Sequence, residues 1–108
     1  MPHAELKFSS DLTLDAETIL AEIETTIRAF DDSAGTCKGR AYPTDHFHHT
    51  HLAVTVSLLD KPHRDADFCN TLLAKLESCV RAKLTQPCAV SFGLDFLPTY
   101  YSTGTHDI

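Results

Sequence analysis

The proline at position 2 is the first residue of this sequence whose chemistry depends on its place in the chain. Removal of Met1, which is usual when a small residue follows it, leaves Pro2 with a free secondary amine. A free α-amino group has a pKa of about 8. Partial burial or nearby cations lower that pKa toward neutrality, where a general base works best. The alternative is that Pro2 only begins an edge strand, a position that tolerates its missing N–H.

A dense run of histidines raises the hypothesis of a metal site. The run comprises His46, His48, His49 and His51. In a strand, His49 and His51 would share one face and the other two the opposite face, so at most two imidazoles would converge unless the segment is a loop. No carboxylate or thiol at ligand spacing completes a site. We therefore predict no metal ligand and favour a polar loop or an interface, with a supporting role near an active site still open.

The charge balance limits the partners of the chain. Its 108 residues carry 15 acidic and 9 basic side chains, a formal net charge of −6. Nucleic acids and membrane surfaces select basic patches, so neither is expected as a partner, and an anionic substrate would need cations gathered locally. We find no signal-peptide pattern and no apolar run of bilayer-spanning length, which predicts a cytoplasmic protein.

The cysteines indicate the same compartment. Cys37, Cys69, Cys79 and Cys88 form no C-x-x-C pair, and two of them fall on core positions of predicted elements. We interpret them as reduced thiols of a cytosolic protein rather than as disulfides or metal ligands.

Two strands and a helix are predicted in the first half of the chain. Ala4, Leu6 and Phe8 alternate with polar residues, which is typical of a half-buried strand. Apolar residues then recur on one helical stripe from about residue 14 to residue 30, with Thr13 as the candidate N-cap. The less regular residues 37–42 are predicted to form a second strand that Pro43 breaks.

The second half repeats this order of elements. Residues 52–58 alternate between aliphatic and small or polar side chains, which predicts a third strand. An amphipathic helix is expected from about residue 65 to residue 84, and residues 88–96 alternate again as a fourth strand. Residues 97–108 are expected to form a C-terminal arm or tail of the same single domain, which spans residues 1–108.

These elements define the predicted fold class, α+β. A crossover helix joins the strands within each β-α-β half, so those strands are expected to be parallel. The prediction is a four-stranded mixed sheet with two helices on one face. The uncovered face would carry small side chains, among them Ala53, Ser57, Ala89 and Ser91, which suit close approach of a partner subunit.

Several short matches, in a consistent order, give this chain a resemblance to a known family. They are Met1-Pro2-His3, Lys38-Gly39-Arg40 after the first helix, Arg64 at the second, Ala89-Val90-Ser91-Phe92 and Leu97-Pro98-Thr99. Over nearly its whole length the chain resembles the 5-carboxymethyl-2-hydroxymuconate isomerase branch of the tautomerase superfamily. The resemblance implies a tautomerase-like homotrimer with its sheets packed inward, an amino-terminal proline as general base, arginines that hold substrate carboxylates, and no metal or organic cofactor.

The resemblance assigns carboxylate binding to cations at positions 38, 40 and 64. Related isomerases have an arginine, a spacer and an arginine where this chain has Lys38, Gly39 and Arg40. When the chain is aligned with these isomerases, Lys38 falls on the usual functional position, but a single gap in the alignment would place Arg40 there. Residues 38 and 40 lie on the same side of a strand, so either could face the site. The two-pronged contact of a guanidinium with a carboxylate slightly favours Arg40. Arg64 is expected to bind substrate, and the alternative is a solvated first-turn residue near Asp65.

Other polar side chains are further candidates. His3, beside the proline, either tunes the amine or points to solvent. Tyr42, Tyr100 and Tyr101 could each supply a hydrogen-bond donor. The spacing selects none of the three tyrosines.

Three functions are compatible with these observations. The first is a cofactor-free isomerase that moves a proton on a carboxylated 2-hydroxydienoate during the breakdown of aromatic acids, with Pro2 as the catalytic base and Arg64 plus Arg40 or Lys38 binding the substrate. The second is a relative with the same fold that acts on another 2-oxo acid, or by hydration or dehalogenation. The third is a non-enzymatic trimeric binding protein or a metal-handling protein built around the histidines, which retention of Met1 would favour.

Overall fold

The computed structural model of the protein describes residues 1–108 and contains four strands and two helices in the predicted order. They are β1 (His3–Ser9), α1 (Ala16–Phe30), β2 (Lys38–Thr44), β3 (His51–Leu58), α2 (Ala66–Arg81) and β4 (Ala89–Phe96). The predicted fold class, two β-α-β halves with a mixed sheet, is confirmed.

The strands form one sheet in the order β2-β1-β3-β4. β1 and β2 are parallel, β3 and β4 are parallel, and the two halves meet where β1 and β3 pair antiparallel. In that central pair His3 lies opposite Ser57 and Phe8 lies opposite Leu52. The first residues of β1 and β2 and the last residues of β3 and β4 therefore share one end of the sheet, which we call the Pro2 end.

One face of the sheet packs against both helices through apolar side chains. Alternate residues of β1 and β3 are buried, in the period-2 pattern that the sequence predicts. The helices bury residues spaced three or four apart, which lie on one side of each helix. These helix residues are Ile19, Ile23, Ile27, Leu72, Leu76 and Val80. A single hydrophobic cluster results, and it joins all of the elements.

The cap of α1 differs from the sequence prediction. Asp15, rather than Thr13, is the N-cap, and its carboxylate accepts hydrogen bonds from the Thr18 backbone N–H at 3.2 Å and from the Thr18 hydroxyl at 2.8 Å. A carboxylate at this position satisfies a free N–H and interacts favourably with the positive end of the helix. The helix therefore begins at Ala16, slightly later than predicted.

Two further element boundaries also differ from the prediction. β2 continues through Pro43 to Thr44 instead of breaking there. β2 is an edge strand, so one of its sides faces no other strand. The missing N–H of Pro43 therefore costs no hydrogen bond between strands. In contrast, α2 ends at Arg81, before the predicted end at Leu84.

The other face of the sheet is uncovered by the helices and carries small and polar side chains, as predicted. Residues 97–108 form no helix or strand, yet they stay close to the sheet. The Leu97 backbone N–H donates to the Leu58 carbonyl at 2.7 Å, and Tyr101 contacts His3. Neither helix has the length and apolar character that crossing a membrane requires.

A buried ion pair joins the end of α1 to the turn before α2. The Asp31 carboxylate accepts hydrogen bonds from Nε and Nη2 of Arg64 at 3.0 and 2.9 Å and from Nε2 of His63 at 2.9 Å. The Arg64 side chain is only 2% exposed, and its Nη1 donates to the Leu59 carbonyl at 2.8 Å. Burial opposes ionisation of Asp31, but hydrogen bonds from Ser33, His63 and Arg64 hold the pKa of this carboxyl well below its usual range.

We predict that Asp31→Asn lowers the free energy of unfolding by about 3–5 kcal/mol at neutral pH, because the buried Arg64 guanidinium loses its counter-charge. Folding lowers the pKa of Asp31, so its contribution is fully present above its unfolded pKa of about 4 and is lost progressively as the pH falls below that value. Urea unfolding should therefore show the gap between wild type and variant shrinking in acid. Asp32→Asn, at an exposed neighbour, is the control. Equal stabilities of the two variants at neutral pH would contradict the prediction.

Candidate active site at the Pro2 end of the sheet

Pro2 lies directly before the central strand β1 and is buried. Its carbonyl accepts a hydrogen bond from the Lys38 backbone N–H at 2.9 Å. Extending the register of β1 and β3 by one residue brings Pro2 opposite Leu58, the last residue of β3. Strands therefore flank the amino end of the chain on both sides, which encloses Pro2 although it lies near a terminus.

A hollow of about 360 Å³ opens at the same end of the sheet. It begins where β3 and β4 end, because Leu58 and Phe96 are the last paired residues of these strands. Its walls are Leu59, Asp60, Phe96, Leu97, Pro98 and Thr99. The volume suits a small organic ligand. Sequence reasoning did not identify this hollow, because its two walls are far apart in the chain.

Arg40 lies on the open face of β2 and is engaged in contacts within the sheet. Its Nη2 donates to Glu5 at 2.7 Å, its Nε donates to the Tyr42 hydroxyl at 3.0 Å, and its Nη1 lies 3.3 Å from Nδ1 of His3. Partial burial works against both charges, but hydrogen bonds to Tyr42 and Glu5 raise the pKa of Arg40, and Arg40 lowers the pKa of Glu5. The guanidinium that carboxylate geometry favoured as a substrate ligand is thus already paired with a carboxylate of its own chain.

Lys38 is the candidate cation that forms no salt bridge. It is exposed, begins β2 and lies opposite His3 in the parallel pair.

The next residue, Gly39, lets this strand approach α1 closely. A Cβ added to Gly39 would lie 2.7 Å from Cδ2 and 3.2 Å from Cγ of Leu20. The absence of a side chain at Gly39 therefore determines how closely the strand that carries Lys38 packs on the helix.

The structure places Arg64 inside the protein, in the ion pair with Asp31. The alternative of a solvated residue near Asp65 is wrong, because Arg64 is buried. Its hydrogen bond to the Leu59 carbonyl supports a wall of the hollow. These contacts are structural. Direct binding of a substrate carboxylate by Arg64 stays a prediction.

Side chains of the C-terminal segment contact the amino end of the chain. The Tyr101 hydroxyl lies 3.1 Å from Nε2 of His3, and the two rings meet edge to face. The Thr103 hydroxyl lies 3.5 Å from the sulfur of Met1. The neighbouring Tyr100 is 95% exposed. The structure therefore distinguishes Tyr101 from the other tyrosines, which the sequence could not do, because the contact joins opposite ends of the chain.

The histidine cluster belongs largely to the loop between β2 and β3, with only His51 in a strand. His49 has a left-handed backbone, with φ of 64°, and its carbonyl lies 2.9 Å from Nδ1 of His51. The rings of His48 and His49 have centroids 4.0 Å apart. No group of three or more histidine, cysteine, aspartate or glutamate side chains is arranged to hold a metal ion.

All four cysteines are free thiols. Cys37 precedes β2 near the amino end, and its backbone N–H donates to the Glu24 carboxylate at 2.6 Å. Burial and the Glu24 charge raise the pKa of the Cys37 thiol to about 11. The thiol therefore stays protonated at neutral pH and does not supply a nucleophile.

Comparisons with known proteins identify the fold, although no protein-family model and no curated protein matches this sequence. A 5-carboxymethyl-2-hydroxymuconate isomerase from Deinococcus radiodurans R1 has a TM-score of 0.75 and 15% identity, with 96% of this chain and 90% of that chain covered. A 5-carboxymethyl-2-hydroxymuconate delta-isomerase has a TM-score of 0.68 and 16% identity, with 97% of this chain and 89% of that chain covered. A fused wild-type 4-OT symmetric trimer has a TM-score of 0.70 and 17% identity, with 89% of this chain and 85% of that chain covered. The predicted resemblance to the tautomerase superfamily is thus confirmed at the level of the fold.

We predict that Gly39→Ala lowers the free energy of unfolding by about 1–3 kcal/mol, because the added methyl group overlaps Leu20. The double variant with Leu20→Ala should lose less stability than the sum of the single variants, which a double-mutant cycle by chemical denaturation measures. Gly35→Ala, in the loop before β2, is the control, because a Cβ there meets nothing within 4 Å. Additive losses at positions 39 and 20 would show that the two side chains do not meet.

Proposed function

We propose that this protein is a cofactor-free isomerase of the tautomerase type. Its substrate would be a carboxylated 2-hydroxydienoate of the 5-carboxymethyl-2-hydroxymuconate type, its product the unsaturated 2-oxo acid, and its base the amine of Pro2 after loss of Met1. The observation that carries the proposal is the position of Pro2. It is buried at the start of β1, its carbonyl is bonded to the backbone N–H of the unpaired cation Lys38, and it lies at the same end of the sheet as a ligand-sized hollow. The fold shared with two isomerases of that name supports it.

The proposed reaction needs one group that first takes and then returns a proton. The Pro2 nitrogen accepts the proton of the substrate 2-hydroxyl group, and the electron pair of the broken O–H bond becomes the second bond of the 2-oxo group as the double bonds shift. The resulting ammonium then donates its proton to the carbon at the far end of the shifted system. An enclosed amine near a cation is favoured in its neutral, basic form, which suits the first step.

Lys38 is the preferred partner for a substrate carboxylate in this proposal. It forms no salt bridge, whereas Arg40 is held by Glu5 and the guanidinium of Arg64 is held by Asp31. In this proposal Arg40 orients His3, Glu5 and Tyr42 on the sheet face away from the helices, and Arg64 supports the hollow. Either arginine could still bind a substrate carboxylate that displaces its present partner.

The proposed assembly is a homotrimer. The sheet face away from the helices carries small and polar side chains that a second sheet could approach. The fused 4-OT protein that shares this fold is a symmetric trimer. Sedimentation of the purified protein measures the subunit number. Cytoplasmic location and a role in aromatic-acid breakdown stay predictions.

A second candidate function is isomerisation of another 2-oxo acid on the same fold. The observation that favours it is Lys38, because an ammonium is a point charge and orients a carboxylate less strictly than a guanidinium does. Relative rates on mono- and dicarboxylated enols distinguish the two candidates. A preference for a monocarboxylated enol would favour the second.

We predict that intact-mass measurement of the purified protein shows loss of Met1. Pro2→Ala should then slow ketonisation of 2-hydroxymuconate, followed by ultraviolet absorbance, by about 100-fold or more, the scale of a lost general base. Pro62→Ala, in an exposed turn, is the matched control and should keep the wild-type rate. Retention of Met1 would remove the proline mechanism and favour a binding protein. Equal rates for the wild type and Pro2→Ala would also remove the proline mechanism.

We also predict that Lys38→Ala lowers kcat/KM for the same substrate by about 10- to 100-fold, the scale of one hydrogen bond to a charged group. Lys83→Ala is the control, since Lys83 is exposed and follows α2 at the opposite end of the sheet. Steady-state kinetics on both variants measure the difference. If they lose activity equally, Lys38 does not contact the substrate.

A further inference from the structure

A chain of hydrogen-bonding side chains crosses the start of β1 on the open face of the sheet. It runs from the Tyr101 hydroxyl to Nε2 of His3 at 3.1 Å, from Nδ1 of His3 to Nη1 of Arg40 at 3.3 Å, and from Nη2 of Arg40 to Glu5 at 2.7 Å. It joins the C-terminal segment to the residue that follows Pro2. Nothing in the proposed function yet uses Tyr101 or His3.

The chemistry of these groups determines where each proton lies. A guanidinium has donors only, so Nδ1 of His3 must accept from Arg40. The proton of a neutral His3 ring is then on Nε2, which donates to the Tyr101 oxygen. Because that oxygen accepts from His3, the tyrosine O–H is free to point to a different acceptor. The chain therefore presents one hydrogen-bond donor, the Tyr101 hydroxyl, at its outer end.

The surroundings keep His3 in this neutral state. Burial and the Arg40 charge, the two largest causes, lower the pKa of His3, and the Glu5 charge only partly offsets them. The residues opposite His3 in the register of the neighbouring strands are Lys38 on β2 and Ser57 on β3, and Arg40 of β2 contacts the His3 ring. The Ser57 hydroxyl donates to one oxygen of the Asp95 carboxylate at 2.6 Å.

Tyr101 and Lys38 reach the same part of the molecule. Lys38 is paired with His3 across β1 and β2, so the two side chains share the open face, and Tyr101 contacts that His3. Pro2 is the residue immediately before His3, and its carbonyl is bonded to the Lys38 backbone. A free donor and an unpaired cation therefore border the amino end together.

We propose that the Tyr101 hydroxyl donates a hydrogen bond to the anionic oxygen of the substrate, and that His3 is the positioning residue that orients this hydroxyl. The inference deepens the proposed function and rests on it. The oxygen that receives the bond is the 2-oxygen, on which negative charge develops as Pro2 removes the proton. Such a bond strengthens as the charge develops, so it stabilises the transition state more than the bound substrate.

The principal test compares Tyr101→Phe with Tyr100→Phe on 2-hydroxymuconate. Tyr101→Phe keeps the ring and removes only the hydroxyl, and we expect kcat to fall by about 10- to 100-fold with little change in KM. The acid limb of the pH profile of kcat/KM should not move, because the base is unchanged. Tyr100→Phe, at an exposed neighbour, should match the wild type. Equal kcat values for all three proteins overturn the inference.

Variants of His3 separate orientation from simple structural support. His3→Gln keeps an amide N–H that can donate to Tyr101, whereas His3→Leu keeps none. We expect His3→Gln to recover part of the kcat that His3→Leu loses, with equal thermal stability for the two variants. Nitrogen NMR of the wild type should also show His3 protonated on Nε2 at neutral pH. Equal kcat for both variants, or a proton on Nδ1, contradicts the positioning role.

A binding measurement separates failure of this inference from failure of the proposed function. Calorimetric titration with oxalate, a stable dianion that resembles the enolate of a 2-oxo acid, requires no turnover, and we expect about 10-fold weaker binding for Tyr101→Phe than for Tyr100→Phe. A wild type that binds oxalate but lacks activity removes the proposed function, whereas a difference in affinity between the two variants still supports the Tyr101 contact. Equal affinities of the two variants, or no binding by the wild type, overturn the Tyr101 contact.

Discussion

The buried contact between Asp31 and Arg64 joins the two halves of the chain at the Pro2 end of the sheet. Asp31 ends α1 in the first half, and Arg64 precedes α2 in the second. Neither charge is favourable away from water unless it is paired, so each requires the other in place. The same guanidinium holds the Leu59 carbonyl, and Leu59 lines the hollow. The position of that wall, and with it the shape of the candidate site, therefore depends on one electrostatic contact inside the fold.

This pairing also shows how an acidic chain can present positive charge to an anion. The protein carries a formal net charge of −6, and two of its three candidate cations are matched by carboxylates of their own chain. Arg64 is neutralised by Asp31 and Arg40 by Glu5, which leaves Lys38 as the cation without a salt bridge. Guanidinium geometry suits a carboxylate whether it belongs to a substrate or to a neighbouring strand. Residue type alone therefore cannot tell a ligand-binding arginine from a structural one.

The amino end of the chain is enclosed by residues from distant parts of the sequence. β2 supplies the backbone donor to Pro2, the end of β3 lies on its other side, and Tyr101 contacts the next residue, His3. Most chain termini are exposed and mobile. Pro2 is buried here, and the proposal of a catalytic amine depends on this enclosure, since enclosure changes the balance between the neutral and the charged forms of an amine.

The sequence by itself determined the order and type of the elements and the face that each one buries, because these follow from local periodicity in residues such as Ile19, Ile23 and Ile27. It also supplied Pro2, Lys38, Arg40 and Arg64 as candidates through an ordered resemblance. Only the tertiary structure decided which cation stays unpaired, which tyrosine meets His3, and where a hollow forms. These features depend on contacts between residues up to 98 positions apart. Such contacts are selected by the packing and charge of the whole fold, which no local pattern encodes.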